Sequence, residues 1–388
     1  MAEVAIVQTG LTGREAGEML GRQIRDQLSG PPHALIVFAT PRGDHASLLE
    51  ALAEVAGTQV IVGCSSAGEF TSDASGQGLT NVTAIRSDTM RFAASVGTGL
   101  SQDYVSAARQ LVAGFTGEHL RDFPYRAALL LVDALTGHAE ELVDAMTLQT
   151  GGTYRFVGGG AGDDARFQQT RIFCGTRVYG DAAVALEMVS TKPIGIGARH
   201  GWRPASAPLR VTEADALRVL SLNAVPAVEV FEEHAEAGAQ PFDHSDPMPF
   251  FLHNIVGVDT PSGYKLRVPL GITDEGGILC AAEVPTGVTA HIMSTGGESA
   301  AAAAAAAVRD AVEQVTREGG SPRAALFFDC VATRLRLGQG FDQELDAVAK
   351  ALGGAPFAGF NSYGQIVRSE GQFSGFHNCT AVVCVLPD

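Results

Sequence analysis

Unbroken apolar runs of strand length recur along the chain. "HALIVFATP" (33–41), "AALLLVDAL" (127–135) and "AALFFDCVA" (324–332) have the pattern of strands buried on both faces. After each, Leu and Ala return every three or four residues, in "HASLLEALAEVAG", "HAEELVDAMTLQ" and "FDQELDAVAKALG". That period predicts helices, and Gly57 and Gly353 supply stop signals for the first and third. Each helix leads to a second apolar run that enters a Gly turn: "VIVGCSSAGEF" (60–70), "RFVGGGAGDDA" (155–165) and "PFAGFNSYGQI" (356–366). The first and third align without a gap, so Gly63 matches Gly359, Gly68 matches Gly364 and Glu69 matches Gln365. Upstream, "QTGLTGRE", "SVGTGLSQD" and "MSTGGESA" each join a strand to another helix. The third of these helices carries alanines 300 to 307, slim enough to pack closely on a sheet. Downstream, "NVTAIRS", "DAAVALEMVS" and "NCTAVVCVL" read as closing strands.

The unit is therefore β-α-β-α-β-β, present about three times, over residues 4–88, 90–190 and 288–386. Its strand-helix-strand part predicts parallel pairing with a right-handed crossover. The fold class is α/β: mixed sheets with helices packed on their faces, in two modules. Residues 191–287 have no counterpart among the repeats; "AEAGAQPFDHSDPMP" (235–249) reads as a surface loop or linker. The expected modules are 1–222, holding two repeats, and 223–388, holding the third.

Composition narrows the partners. With 46% hydrophobic and 18% charged residues in 388, the chain is globular. A net charge of −16 without a basic cluster argues against nucleic acid. No apolar run reaches the roughly 20 residues of a membrane span, and Gln8, Thr9 and Gly10 interrupt the N-terminal run, so neither membrane insertion nor a signal peptide is expected. Six widely spaced cysteines without a CxxC pair suggest neither zinc nor a disulfide framework. A reducing cytoplasm is the expected location.

Five stretches in order, "VGCSSAGEF", "VGGGAGDDARF", "HGWRP", "LFFDCVAT" and "PFAGFNSYGQI…FHNCTAVVCVL", resemble the FIST family, with its N-terminal and C-terminal modules in tandem. The resemblance implies a cytoplasmic sensory module of bacterial signal transduction that binds a small, amino-acid-like ligand. It would act through a separate signalling protein such as a histidine kinase or a cyclic-di-GMP enzyme, and a homodimer is compatible with it. A related group of FIST-like proteins binds haem and senses nitric oxide, which makes haem the cofactor to test. Two positions depart from the family pattern: Gln365 stands where Glu is more frequent, and Thr333 where Arg is common.

The candidate chemistry centres on the Gly turns. Free backbone N–H groups on such turns can cradle an anion, which makes Gly63, Ser65, Ser66 and Gly68, with Asn361, Ser362 and Tyr363 on the third turn, ligand-binding candidates. Glu69 and Asp163 add the negative charge that a ligand ammonium would need, and Asp164 adjoins them. Arg267 could pair with a ligand carboxylate as a bidentate fork. Packed turns, helix caps and an exposed arginine are the competing readings. Trp202 could line a pocket. Cys64 as a nucleophile would make the protein a thiol enzyme, but its repeat equivalents, Gly159 and Phe360, cannot do that chemistry, so no catalytic residue is assigned. Cys330 follows Asp329, whose charge would disfavour a thiolate. If haem binds, His200, His234, His244, His253 and His377 are the candidate ligands; no metal site is otherwise indicated.

Overall fold

A computed structural model describes residues 2–369 and 374–388. The three apolar runs form strands Ala34–Ala39, Tyr125–Val132 and Pro322–Cys330. Each pairs in parallel with the strand that follows its helix: Ile61–Ser65, Arg155–Gly160 and Phe357–Ser362. The helices His45–Ala56 and Phe341–Leu352 end at Gly57 and Gly353, both left-handed. Two antiparallel strands extend each pair in the same spatial order. They are Ala2–Thr9 with Thr80–Ser87, Met90–Thr98 with Ala182–Ser190, and Gly195–Arg199 with Ala381–Pro387.

The third repeat begins elsewhere than the sequence pattern predicts. Its opening strand is Gly195–Arg199, and the expected one, Thr289–Ser294, pairs with Ile255–Thr260 and Leu209–Asp215 in a fourth sheet. The alanine-rich helix Gly297–Thr316 selects the glycine strand, because a Cβ at Gly195 or Gly197 would overlap the carbonyls of Ala311 and Ala307. Residues 200–296 are thus inserted between the first strand and first helix of the third repeat. Strand pairing in the fourth sheet runs across residues 222 and 223: Leu209–Asp215 pairs with Thr289–Ser294, and Arg218–Leu222 with Ile278–Cys280.

After each Gly turn the chain leaves its own sheet. Glu69–Thr71 joins the third repeat's sheet, Ile172–Cys174 the first's and Gln365–Arg368 the second's. Three six-stranded sheets are thereby closed in a cycle, each completed by another repeat. The register recurs as well: Phe70 faces Gly359, Phe173 faces Gly63 and Ile366 faces Gly158. One buried core takes Ile36, Leu129 and Leu326 from the three central strands. Among the described residues, no helix is long and apolar enough to cross a membrane.

Candidate functional site

The cyclic exchange brings the three Gly turns to one point. The N–H of Ala67 donates to the carbonyl of Asn361 (3.0 Å), that of Gly162 to Ser65 (2.9 Å) and that of Tyr363 to Gly160 (3.0 Å). A second ring runs from Asn361 to Gly68 (2.8 Å), Gly160 to Gly364 (2.8 Å) and Ser65 to Arg171 (2.9 Å). Ser66 donates its N–H to Ala39. These amides are therefore the joints between repeats, not the free cradle that the sequence suggests. Side chains follow suit: Ser65 Oγ donates to Gly162 (2.7 Å), and Ser362 Oγ donates to Asp329 O (3.0 Å). Gly63 packs against the Val37 carbonyl and the Phe173 ring, with no room for a Cβ.

The turn carboxylates are also engaged. Asp163 accepts the N–H groups of Arg166, Phe167, Gln168 and Gln169 and the hydroxyl of Tyr363. These bonds hold its carboxyl below the usual range although burial works the other way. The Phe167 ring stacks on Tyr363 at 4.4 Å, closing the loop over the junction. Glu69 accepts from Ser66 Oγ and the Leu79 N–H (3.1 Å), yet burial still pushes it up to about 7. Gly68, at φ 138°, lies against the Arg334 guanidinium.

Arg334 belongs to the short helix Val331–Leu337, which begins directly at the end of the third central strand. Arg336, two residues on, lies over the ring of Trp202 at 5.4 Å. Beneath it is a cavity of about 10 Å³, room for one water, lined by Trp202, His200, Asp329, Arg336, Glu344 and Cys379 among others. Asp329 and Glu344 are each 1% exposed. Asp329 Oδ2, Glu344 Oε2 and Arg336 Nε are buried without a hydrogen-bond partner. Burial, then the mutual charge, drives Asp329 well above the carboxylate range, and burial lifts Glu344 to about 8.

Uncompensated polar groups at that depth cost free energy, so this is the most chemically unfinished place described. Sequence reasoning reached Trp202 and His200, and Asp329 only as a neighbour of Cys330, but assigned no ligand role to Asp329, Arg336 or Glu344. The signal for Glu344 was available: it lies on the buried stripe of its helix with Phe341, Leu345 and Val348.

Cys330 and Cys379 meet beside the cavity. A hydrogen bond from Cys379 lowers Cys330 to about 6 and raises Cys379. This reverses the expectation for Cys330. Asp329 is itself raised, by burial first, which works against the repelling charge expected of it. Cys64 lies in the core at 0% exposure with its thiol pushed up by burial and then by Glu69. Iodoacetamide is expected to leave Cys64 unmodified in the native protein and to label it in denaturant, which peptide mass mapping reads directly.

Arg267 is buried, neither an exposed arginine nor a free fork. It donates to the carbonyls of Glu283 (2.8 Å), Leu266 (3.1 Å) and Phe376 (3.0 Å) and to Glu140 (3.4 Å). The histidines scatter. His234 bonds Asn254 (3.2 Å), His244 pairs with Glu232 (2.8 Å), and His253 is exposed. His200 accepts the Trp202 N–H (3.3 Å), and His377 is 1% exposed. Burial keeps both rings below the usual histidine range, the direction that favours the neutral imidazole haem ligation requires. A cavity of one water beside His200 does not fit the macrocycle.

The raised acids fix the sign of a pH dependence. A carboxyl whose folded pKa lies above its unfolded value of 4.5 stabilises the fold fully below 4.5 and loses that contribution as pH rises through the folded value. Thermal stability is expected to fall between pH 5 and pH 8 through Glu69 and Glu344. Glu344→Gln should flatten that slope and stabilise the protein at pH 8 by about 1–2 kcal/mol. Denaturation scans across pH check both.

Among curated proteins, an uncharacterized protein of Mycobacterium bovis and one of Mycobacterium tuberculosis are each 24% identical over 266 residues, 67% of either chain. Among solved structures, cyanuric acid hydrolase from A. caulinodans aligns over 100% of this chain and 99% of its own, with 7% identity and a TM-score of 0.33. T. maritima PurL complexed with FGAR aligns over 100% and 73%, with 13% identity and a TM-score of 0.25. The FIST N domain matches residues 33–225 and the FIST C domain residues 227–368. With both domains in tandem, the chain belongs to the FIST family, whose domains are sensory domains of signal-transduction proteins.

Proposed function

We propose that this protein senses an amino-acid-like metabolite in the cavity beneath Val331–Leu337, without catalytic chemistry of its own, and regulates a separate signalling protein in the cytoplasm. A histidine kinase or a cyclic-di-GMP enzyme is the kind of output meant. One observation carries the reading: two buried carboxyls and one guanidinium with unpartnered atoms surround the same cavity. A ligand ammonium satisfies Asp329 and Glu344, its carboxylate satisfies Arg336, and Trp202 supplies a packing face. This is the charge pattern of a zwitterion.

The cavity holds only a water as it stands, so binding requires the short helix to move. That helix has seven residues, carries exposed Leu335 (44%) and ends at Gly338 in the left-handed region. A ligand that prefers the open arrangement shifts the population towards it, and the displaced helix face is then the signal offered to the output protein. Trp202 is the chain's only tryptophan, so its fluorescence reports the site alone. Titration with the twenty amino acids is expected to change that emission saturably for at least one. Saturation at a hundred times Kd adds about 2.7 kcal/mol of stability. A flat response to all twenty, from protein that unfolds cooperatively, would remove the basis for the proposal.

A further inference from the structure

A second opening lies where the second sheet meets the helix Gly297–Thr316. It is a cleft of about 630 Å³, within the range of small-molecule sites. Five arginines line it, Arg126, Arg155, Arg199, Arg317 and Arg368, against three acids, Asp310, Glu313 and Glu318. On a chain of net charge −16 this is a local reversal of sign.

The acids are already committed. Asp310 pairs with Arg199 (2.7 Å), Glu313 with Arg317 (2.7 Å), and Glu318 accepts the Tyr125 hydroxyl. Arg126 and Arg368 make no ion pair among the described residues. Arg126 lies 6.0 Å from the centre of the Tyr154 ring, and its buried Nε has no hydrogen-bond acceptor.

Register explains why these charges sit together. Ala127 pairs with Arg155, and Phe156 pairs with Arg368, so Arg126, Arg155 and Arg368 occupy the same end of three neighbouring strands. Neighbouring strands lie about 4.8 Å apart, so the three guanidinium stems leave one rim of the sheet without standing directly opposite one another: Arg155 faces Ala127 and Arg368 faces Phe156. Arg155 is held there by Gln314 Oε1 (2.9 Å) and the Ile194 carbonyl, and Gln314 is fixed in turn by both backbone groups of Ile196.

We propose that this cleft is a binding site for a small polyanion, a metabolite carrying two or more phosphate or carboxylate groups. Arg126 and Arg368 are its principal charge contacts, and Arg155 is a prepositioned third. The anion neutralises the local excess of positive charge and gives Arg126 Nε an acceptor. Arg199 lines both this cleft and the zwitterion cavity, so occupancy of one is placed to influence the other.

The test uses pyrophosphate and citrate as probes, titrated calorimetrically into the full chain at constant ionic strength. At least one is expected to bind, and Arg126→Gln/Arg368→Gln is expected to raise its Kd at least tenfold while leaving the unliganded melting temperature near that of the parent. Binding of pyrophosphate alone assigns a phosphate-bearing ligand, and citrate alone a polycarboxylate. Should the double variant fold poorly, Arg368→Gln at the end of its strand carries the comparison, and Arg336→Ala, altered only in the other cavity, should keep full anion binding. No binding of either probe, or unchanged affinity in the arginine variants, overturns the proposal.

Discussion

Arg336→Ala is expected to abolish the amino-acid response while leaving the protein folded. In the proposed complex the Arg336 guanidinium receives the ligand carboxylate in a buried setting, where a charge-assisted pair contributes about 2–3 kcal/mol. Its removal should weaken binding on the order of a hundredfold. In the unliganded fold this side chain lies over Trp202 at 5.4 Å, leaves its Nε unbonded, and opposes the upward shift of Asp329 and Glu344, so the melting temperature of the variant is the necessary control. Trp202 fluorescence gives the readout. An undiminished response in Arg336→Ala would place the carboxylate elsewhere.

Gly359→Ala is expected to be the most destabilising small substitution. A Cβ at 359 would overlap the Phe327 carbonyl oxygen on the parallel neighbour and press on the Phe70 ring on the other side. Neither can give way cheaply: Phe327 lies mid-strand, and Phe70 belongs to the hairpin that the first repeat lends to this sheet. A core that must absorb an unaccommodated methyl against backbone loses about 3 kcal/mol, the upper end of overpacking costs. Gly63→Ala meets the Val37 carbonyl and Phe173 in the same way, and Gly158→Ala meets the Leu130 carbonyl. Urea denaturation of the three variants should show comparable losses, whereas Gly99→Ala, with open space at the Cβ, should lose only the cost of its positive φ.

Much of the repeat architecture was legible because it is local. Alternating strand and helix periods marked the elements, and the match of Gly63 to Gly359 reappears as equivalent positions opposite Phe173 and Phe70. The insertion was not legible. Thr289–Ser294 precedes the alanine-rich helix just as a repeat's first strand should, and only the contact of that helix with Gly195 and Gly197 shows which strand it packs on. The hairpin exchange was hidden for the same reason, since pairing partners lie up to about 290 residues apart.

The candidate site divides along this line. The sequence brought out Ser65, Ser66, Asn361, Ser362 and Tyr363 as a set, and the structure gathers them at the junction of the repeats. The bonding of their amides was not legible, because a free N–H and an N–H bonded to a distant turn look alike in one dimension. Asp329, Arg336 and Glu344 belong to three separate elements, and their unpartnered atoms come together only after packing.

The central claim is that the buried acids and Arg336 recognise a zwitterion. It is tested most directly by calorimetric titration of the amino acid giving the largest Trp202 response, at pH 7, into the parent protein and Asp329→Asn/Glu344→Gln. Because burial raises Asp329 and lifts Glu344 to about 8, a ligand ammonium that favours their charged forms should release protons to the buffer. The expected result is binding with proton release in the parent and at least a hundredfold weaker binding in the double variant. Equal affinity in the two proteins, or binding without proton release, would contradict the account.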